Sequence, residues 1–356
     1  MKVTKLFVLA LVAALAALVY TPVAKLAVDE TCTTDVVTEG DIARRPESTP
    51  PTAADDWVLY TRTGTAPTAG AFVNGPATPP AGAGSLQLQT NTGSEKVFIF
   101  NYEHEGTRLA DLTQLSYDTY RTAGGGDQLP ALNMVIDFNG PNVAGGFATL
   151  VFEPVYNLNQ QPVVNGTWQN WDALGSGIWW STRAINGQCV GATAACDKTW
   201  SEIVANNPDA IILGGIGINQ GSGNPGLNAN VDTLTIAHNG NCVTYDFEAD
   251  TDGDGIGDGY DNCVSDANPN QADNDNDGAG DVCDGDDDND GVADETDNCP
   301  LTANPGQEDF DGDGVGDACG DAAPTTKDQC KNNGWRSGSP RFKNQGDCIQ
   351  FVNTGK

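Results

Sequence analysis

The most constraining feature of the sequence is a segment in which aspartate stands at almost every second position, as in DTDGDGIGDGYDNC at 250–263. From Glu248 to Asp321, 74 residues hold 25 acidic side chains and neither lysine nor arginine, within a chain of net charge −32. Like charges at this density repel one another, so a compact segment requires bound cations. Binding to nucleic acid requires a basic face instead, and we therefore expect no nucleic-acid partner.

Four loops in this segment share one arrangement of aspartate around a glycine. They begin at residues 250, 273, 286 and 309, so the steps between them are 23, 13 and 23 residues. Each loop has glycine at position 6, and the fourth has Gly320 where the others have a twelfth-position aspartate. The aspartates at positions 1, 3, 5, 9 and 12 are Asp250, Asp252, Asp254, Asp258, Asp261, Asp273, Asp275, Asp277, Asp281, Asp284, Asp286, Asp288, Asp290, Asp294, Asp297, Asp309, Asp311, Asp313 and Asp317.

This spacing matches the coordination chemistry of calcium, which takes six to eight oxygen ligands at about 2.3–2.6 Å. A short loop can aim positions 1, 3 and 5 at one point only if it turns sharply at position 6, which glycine permits through a positive φ angle. A set of oxygen ligands favours Ca²⁺ over zinc or copper. Position 7 would add a backbone carbonyl, and these residues are Ile256, Ala279, Val292 and Val315.

An EF-hand and a solvated acidic linker both fit the loops less well. The spacing is close to the EF-hand signature, but an EF-hand requires a helix on each side, and NCVSDANPNQ after the first loop cannot form one. A solvated linker is the usual role of a charge run, but it would not need the recurring glycine and the fixed register. Calcium that only stiffens the segment is also compatible with the pattern.

The segment resembles thrombospondin type 3 repeats. That resemblance implies calcium ions strung along a compact, wire-like segment, often with a role in adhesion or as a spacer. The sequence departs from the pattern at Val264, where the second copy has Pro300, and at Gly320. Besides the loops and their alternating steps, the matching motifs are DNC at 261–263, DNCP at 297–300, NPNQAD at 268–273, NPGQED at 304–309, GDVC at 280–283 and GDAC at 316–319.

The ten cysteines are expected to form disulfides. Their number is even, no CxxC pair favours a zinc site, and an export signal would place the chain in an oxidising compartment. Connectivity does not follow from sequence alone, but two pairs are each 20 residues apart and each span a loop. By spacing, proximity and exclusion, the predicted pairs are Cys263–Cys283, Cys299–Cys319, Cys189–Cys196, Cys330–Cys348 and Cys32–Cys242.

The N-terminus has the pattern of a secretory signal. Lys2 and Lys5 precede an apolar run of 15 residues, 6–20, which is shorter than the roughly 20 residues of a membrane span. No second apolar run follows. We therefore expect a signal peptide or signal anchor at 1–27, no membrane span in the mature chain, and a secreted, extracellular or cell-surface location.

Between this signal and the aspartate segment, short apolar runs alternate with glycine, proline and asparagine, which predicts an all-β, jelly-roll-like sandwich. Only KTWSEIVANN at 198–207 favours a helix. The tail from residue 322 has six basic and two acidic residues. The predicted divisions are a lead-in at 28–56, the sandwich at 57–247, the calcium repeats at 248–321, and a linker with a basic disulfide-closed module at 322–356.

Two functions remain open for the sandwich. Exposed tryptophans can stack on sugars, and WQNWDALGSGIWW supplies Trp168, Trp171, Trp179 and Trp180, although tryptophan more often fills a core. A carbohydrate or cell-surface ligand, with the repeats as a stiff spacer, is our first hypothesis. The alternative is a carbohydrate-active enzyme, in which Glu103 and Glu105, two apart on a predicted strand, form a catalytic pair with Asp137 or Glu153. No GxSxG or HExxH motif is present, so we expect no catalysis.

Overall fold

The computed structural model describes residues 32–62, 64–65, 69–309, 314–320, 324–331 and 342–354. The expected signal at 1–27 and the predicted ligands Asp311 and Asp313 lie outside these ranges. Within them the chain is nearly all β, as the sequence predicts, and forms two packed sheets.

Seven strands form the first sheet and eight form the second. The first sheet contains β1 (Thr33–Val37), β4 (Gly70–Asn74), β5 (Gly84–Thr90), β7 (Leu112–Ala123), β10 (Trp168–Asp172), β14 (Leu227–His238) and β15 (Asn241–Phe247). The second contains β2 (Ile42–Pro46), β3 (Trp57–Thr61), β6 (Val97–Asn101), β8 (Ala131–Asp137), β9 (Phe147–Phe152), β11 (Ile178–Ser181), β12 (Lys198–Thr199) and β13 (Ile211–Gln220).

The long strand β14 organises the first sheet. It pairs antiparallel with β15 and β5 along one side and with β7 along the other, and β1 runs parallel to β15 at the edge. The second sheet has the order β12-β11-β9-β8-β13-β6-β3-β2. β15 leads directly into the aspartate segment, so the first repeat begins at the C-terminal end of this strand.

The region expected to be a lead-in, 28–56, contributes two strands. β1 pairs with β15 in the register Thr33↔Val243, and β2 runs parallel to β3 from Ile42↔Trp57. The sequence pattern does not predict these two strands, because their exposed positions are polar, as expected at a sheet edge. The Cys32–Cys242 disulfide fixes the start of β1 to the neighbouring strand.

The main core lies between the sheets, and a second apolar cluster on the opposite face of β3 and β6 contains Val58, Tyr60, Phe98 and Phe100. Trp57 packs edge-on against Tyr245 and Phe247. The predicted helix is α1 (Trp200–Asn206), and its capping residue Thr199 forms a capping box with Glu202. A second helix, α2 (Gln345–Thr354), lies in the tail.

No helix among the described residues is both long and apolar enough to cross a membrane.

Candidate metal centres

Three clusters of carboxylates occur in the described part of the aspartate segment. In each, side-chain oxygens from positions 1, 3 and 5 of one loop lie within 4.8 Å of one another. The position-6 glycines have φ angles of 94°, 100° and 94°, the left-handed conformation that turns the loop back on itself. The clusters are Asp250, Asp252 and Asp254; Asp273, Asp275 and Asp277; and Asp286, Asp288 and Asp290.

Backbone hydrogen bonds build each cluster in the same way. In the first loop, the N–H of Gly255 donates to Asp250 at 3.2 Å, the N–H of Asp254 donates to Asp252 at 3.2 Å, and that of Ile256 donates to Asp254 at 2.8 Å. The second and third loops repeat all three bonds. The backbone N–H groups of the loop therefore orient the three carboxylates.

One oxygen in each cluster has no partner. Oδ2 of the position-3 aspartate, in Asp252, Asp275 and Asp288, is buried and accepts no hydrogen bond from any described residue. A buried acceptor without a donor is costly unless a cation or water satisfies it. The same oxygen atom is left without a hydrogen bond in three loops. These carboxylate oxygens therefore fit the ligands of a hard cation such as Ca²⁺.

Partial burial, followed by the charge of the neighbouring carboxylates, raises the pKa of these three position-3 aspartates. The twelfth-position aspartate of the same loop is among those neighbours in every case. Positions 3 and 12 of each loop are therefore close enough for their charges to repel each other. A cation between them would relieve the repulsion that raises the pKa.

In the first and third loops, the position-12 aspartate is held by a motif that follows the loop. Oδ1 of Asp261 accepts from the N–H of Cys263 and from the side-chain amide of Gln271, both at 2.8 Å. The N–H of Asn268 also donates to Asp254 at 2.8 Å. In the third loop Gln307 and Asn304 make the same contacts with Asp297 and Asp290. The NPxQ motif thus fixes two carboxylates of the preceding loop, a role that sequence reasoning did not assign to it.

The position-9 aspartates close the loops. Asp258, Asp281 and Asp294 each accept the N–H of position 2, at 2.7, 2.8 and 3.0 Å. Asp258 also accepts from the hydroxyl of Thr251 and the side-chain amide of Asn74. None of these aspartates belongs to a described carboxylate cluster. Their role as ligands therefore stays a prediction, and the geometry gives them a second role as caps.

The predicted backbone ligands at position 7 are also available. Within the described residues, the carbonyl oxygens of Ile256, Ala279 and Val292 accept no hydrogen bond. Each directly follows the position-6 glycine. Together with the unpartnered Oδ2 atoms of the position-3 aspartates, these carbonyls give each loop the oxygen ligands that calcium requires.

The fourth loop is described only in part. Gly314 has φ 91° and its N–H donates to Asp309 at 3.1 Å, as in the other loops. The N–H of Asp317 donates to the carbonyl of Glu308 at 2.7 Å. The described part thus follows the same design, and ligation by Asp309, Val315 and Asp317 stays a prediction.

Asp287 is an acidic residue of the third loop that the spacing pattern did not include. Burial and the neighbouring Asp294 and Asp281 carboxylates raise the pKa of Asp287 to about 6. Its Oδ1 is buried without a hydrogen-bond partner among the described residues. The second and third loops therefore concentrate negative charge between them as well as within each cluster.

The first loop is docked on the sandwich. The hydroxyl of Tyr260 donates to Asp246 of β15 at 2.6 Å, and Asn74 at the end of β4 donates to Asp258 at 2.8 Å. Glu248 is fully buried and accepts the N–H of Ala83 at 2.8 Å. A Cβ on Gly259 would lie 2.5 Å from the nitrogen of Ala83, so only glycine permits this approach.

The structure contains five disulfides, and they join the cysteines in the same pairs that the spacing suggests. Cys263–Cys283 and Cys299–Cys319 each join cysteines that are 20 positions apart in the repeat segment. Cys263 and Cys299 are almost fully buried. Cys283 and Cys319 are exposed, so each disulfide joins a buried cysteine to an exposed one and links one pair of loops.

The four candidate ligand-facing tryptophans separate into two groups. Trp171 and Trp179 are fully buried, with their indole N–H groups bonded to Thr119 and to the carbonyl of Ala173, so they cannot face a ligand. Trp168 and Trp180 are partly exposed on the outer faces of the first and second sheets. The alternation along β11 explains why the neighbours at 179 and 180 differ.

The candidate catalytic carboxylates lie in different settings. Glu103 and Glu105, expected on a strand, lie in a turn after β6. Glu103 accepts from Tyr245 at 2.6 Å, Asp137 accepts from the backbone of Asn139, and Glu153 accepts from the indole of Trp180. None of these contacts orients two carboxylates toward a common point.

Comparison with known protein families supports the assignment of the aspartate loops to a repeat family. The family model described as "Thrombospondin type 3 repeat" matches residues 241–271 and 272–307. No curated protein matches the sequence. Among solved structures, the family 11 carbohydrate-binding module of the cellulosomal cellulase Lic26A-Cel5E of Clostridium thermocellum is similar at 11% identity and a TM-score of 0.29, over 51% of this chain and 88% of that one. The family match confirms the predicted resemblance: this chain carries two thrombospondin type 3 repeats at residues 241–307, preceded by a jelly-roll-like β-sandwich.

Proposed function

We propose that this protein is a secreted calcium-binding protein in which the repeats form a calcium-stiffened spacer and the sandwich binds an extracellular ligand, with a role in adhesion. The observation that carries the proposal is the unsatisfied Oδ2 at position 3 of three successive loops. The five disulfides and the expected signal support an extracellular location.

A spacer function requires the repeats to be ordered and fixed to the domain they present. The loops follow one another closely, with only Gly285 between the second and third. The contacts of Tyr260 and Asn74 fix the first loop to the sandwich. Ions in successive loops would therefore stiffen a segment whose first turn is already attached to the sandwich.

Small-angle X-ray scattering of the full chain tests the spacer role. In calcium we expect a compact, defined scattering profile, and in EGTA a larger radius of gyration with the signature of a flexible segment, because the carboxylates then repel one another. Identical profiles with and without calcium would contradict the spacer role.

Two charge-matched variants make this test specific to the loops. The triple-Asn variant combines Asp252→Asn, Asp275→Asn and Asp288→Asn, and in calcium it should scatter like the chelated wild type. The charge-matched control replaces three acids of the same segment outside the predicted ligand set: Asp266→Asn, Glu295→Gln and Glu308→Gln. It loses the same formal charge and should keep the compact profile in calcium.

A further inference from the structure

A groove crosses the outer face of the second sheet, on the side opposite the core. The register places Trp180 beside Val151, Val151 beside Asn133, and Asn219 beside Ala131. The groove has a volume of about 240 Å³. Drug-sized ligands occupy pockets of about 300–1,000 Å³, so this groove suits a small unit or a short part of a longer chain.

Two amide groups in the groove lack partners. Asn133 is only 9% exposed, and its Oδ1 accepts no hydrogen bond from a described residue. Asn219, on the neighbouring strand, is half-buried, and its Oδ1 likewise accepts no hydrogen bond from a described residue. Buried amide oxygens are stable only when a donor reaches them, so a ligand for this groove has to bring hydroxyl or N–H groups.

An indole ring forms another part of the wall. The Nε1–H of Trp180 donates to Glu153 at 2.9 Å, which holds the ring in place while it remains partly exposed. The groove therefore combines a fixed apolar surface with hydrogen-bond acceptors. A pyranose ring has both matching features, an apolar C–H face and peripheral hydroxyl groups.

The charges near the groove favour a neutral ligand. The carboxyl group of Glu153 faces it and disfavours anions. The Lys96 ammonium group is engaged by Glu47 at 3.1 Å and lies 4.4 Å from the ring centre of Phe98. The basic group at the groove is thus already paired.

An extended peptide is a poorer match. Peptides that bind sheets usually add a strand to an exposed edge, where unpaired backbone groups are available. The strands that line the groove are β13, β8, β9 and β11, and each of them pairs with neighbours on both sides. Recognition here depends on side chains.

We propose that this groove binds a neutral oligosaccharide, with Trp180 stacked on a sugar ring and Asn133 and Asn219 accepting hydrogen bonds from its hydroxyl groups. This inference rests on the proposed ligand-binding role of the sandwich and adds the ligand class and the site. Trp168, on the outer face of the other sheet, serves as an internal control.

Calorimetric titration of the full chain in saturating calcium tests the proposal. The probes are the neutral hexasaccharides of β-1,4-glucose, β-1,4-xylose and β-1,4-mannose, with hexagalacturonate as the anionic comparison and a neutral hexapeptide as the peptide comparison. At least one neutral hexasaccharide should bind, and the anionic and peptide probes should not. Trp180→Ala and Asn219→Ala should each raise its Kd about tenfold or more, and Trp168→Ala should leave it unchanged.

Three results would overturn the assignment: no binding of any neutral probe, tighter binding of the peptide or the anionic probe, or unchanged affinity in both groove variants. Unfolding temperatures of the variants identify any that fail to fold. Repeating the sugar titration in EGTA separates the two proposals, because the groove residues do not belong to the calcium loops. A chain that binds the sugar but shows no saturable binding in a calcium titration would support the groove site and refute the calcium-stiffened spacer.

Discussion

Removing calcium will strongly lower the thermal stability of the repeat segment. Its described buried hydrophobic residues are only Ala249, Cys263 and Cys299, so no apolar core offsets the repulsion among its aspartates. An ion at about 100 times its Kd stabilises a folded site by about 2.7 kcal/mol, which for three sites sums to about 8 kcal/mol. Differential scanning calorimetry of the full chain in calcium and in EGTA measures this loss.

The unfolding transition of the sandwich shows whether EGTA destabilises only the repeats or the whole chain. The sandwich has its own core between two sheets, so its unfolding should persist in EGTA. A modest decrease in its unfolding temperature is expected, because Tyr260 and Asn74 connect it to the first loop. Thermograms that coincide with and without calcium would contradict metal-dependent order in the repeats.

Removing the Cys263–Cys283 disulfide will weaken calcium binding. This bond closes a separation of 20 residues that includes most of the second loop. Opening a closed loop of this size costs about 3 kcal/mol through the entropy of the unfolded chain. Because metal affinity in such a segment includes its folding free energy, Cys263→Ser with Cys283→Ser should weaken calcium binding by about 100-fold at the affected loops.

The Cys189–Cys196 disulfide provides the control for this experiment. It closes a separation of only 7 residues and lies in the sandwich, away from the calcium loops. Cys189→Ser with Cys196→Ser should leave the calcium titration unchanged. Equal calcium affinities for wild type and the Cys263/Cys283 variant, measured by calorimetry, would show that the disulfide does not help to organise the loops.

The repeats were the most predictable part of the structure because their geometry is local. A glycine at position 6 and aspartates at fixed offsets determine which side chains converge within one loop. The pattern did not reveal that Gln271 fixes Asp261 from ten residues away, although the NPxQ motif was visible. It also did not distinguish Asp258, which caps its own loop, from the aspartates of the cluster.

The sandwich was predictable as a class but not in its details. The polar strand β1 joins the first sheet because it lies beside β15, more than 200 residues later in the chain, and no local signal encodes that pairing. Alternation along a strand requires that the neighbours Trp179 and Trp180 face opposite sides, but it does not determine which one is buried. The groove depends on β8, β11 and β13 meeting in one register, which only the folded sheet reveals.

Calorimetric titration of the full chain with calcium tests the central claim most directly. We predict saturable binding of several ions at affinities of about 10⁻³ M or tighter, as extracellular sites show. The triple-Asn variant should lose most of this binding, and the charge-matched control should retain it. No saturable binding by the wild type, or equal losses in both variants, would show that the segment is only a diffuse acidic region without specific calcium sites.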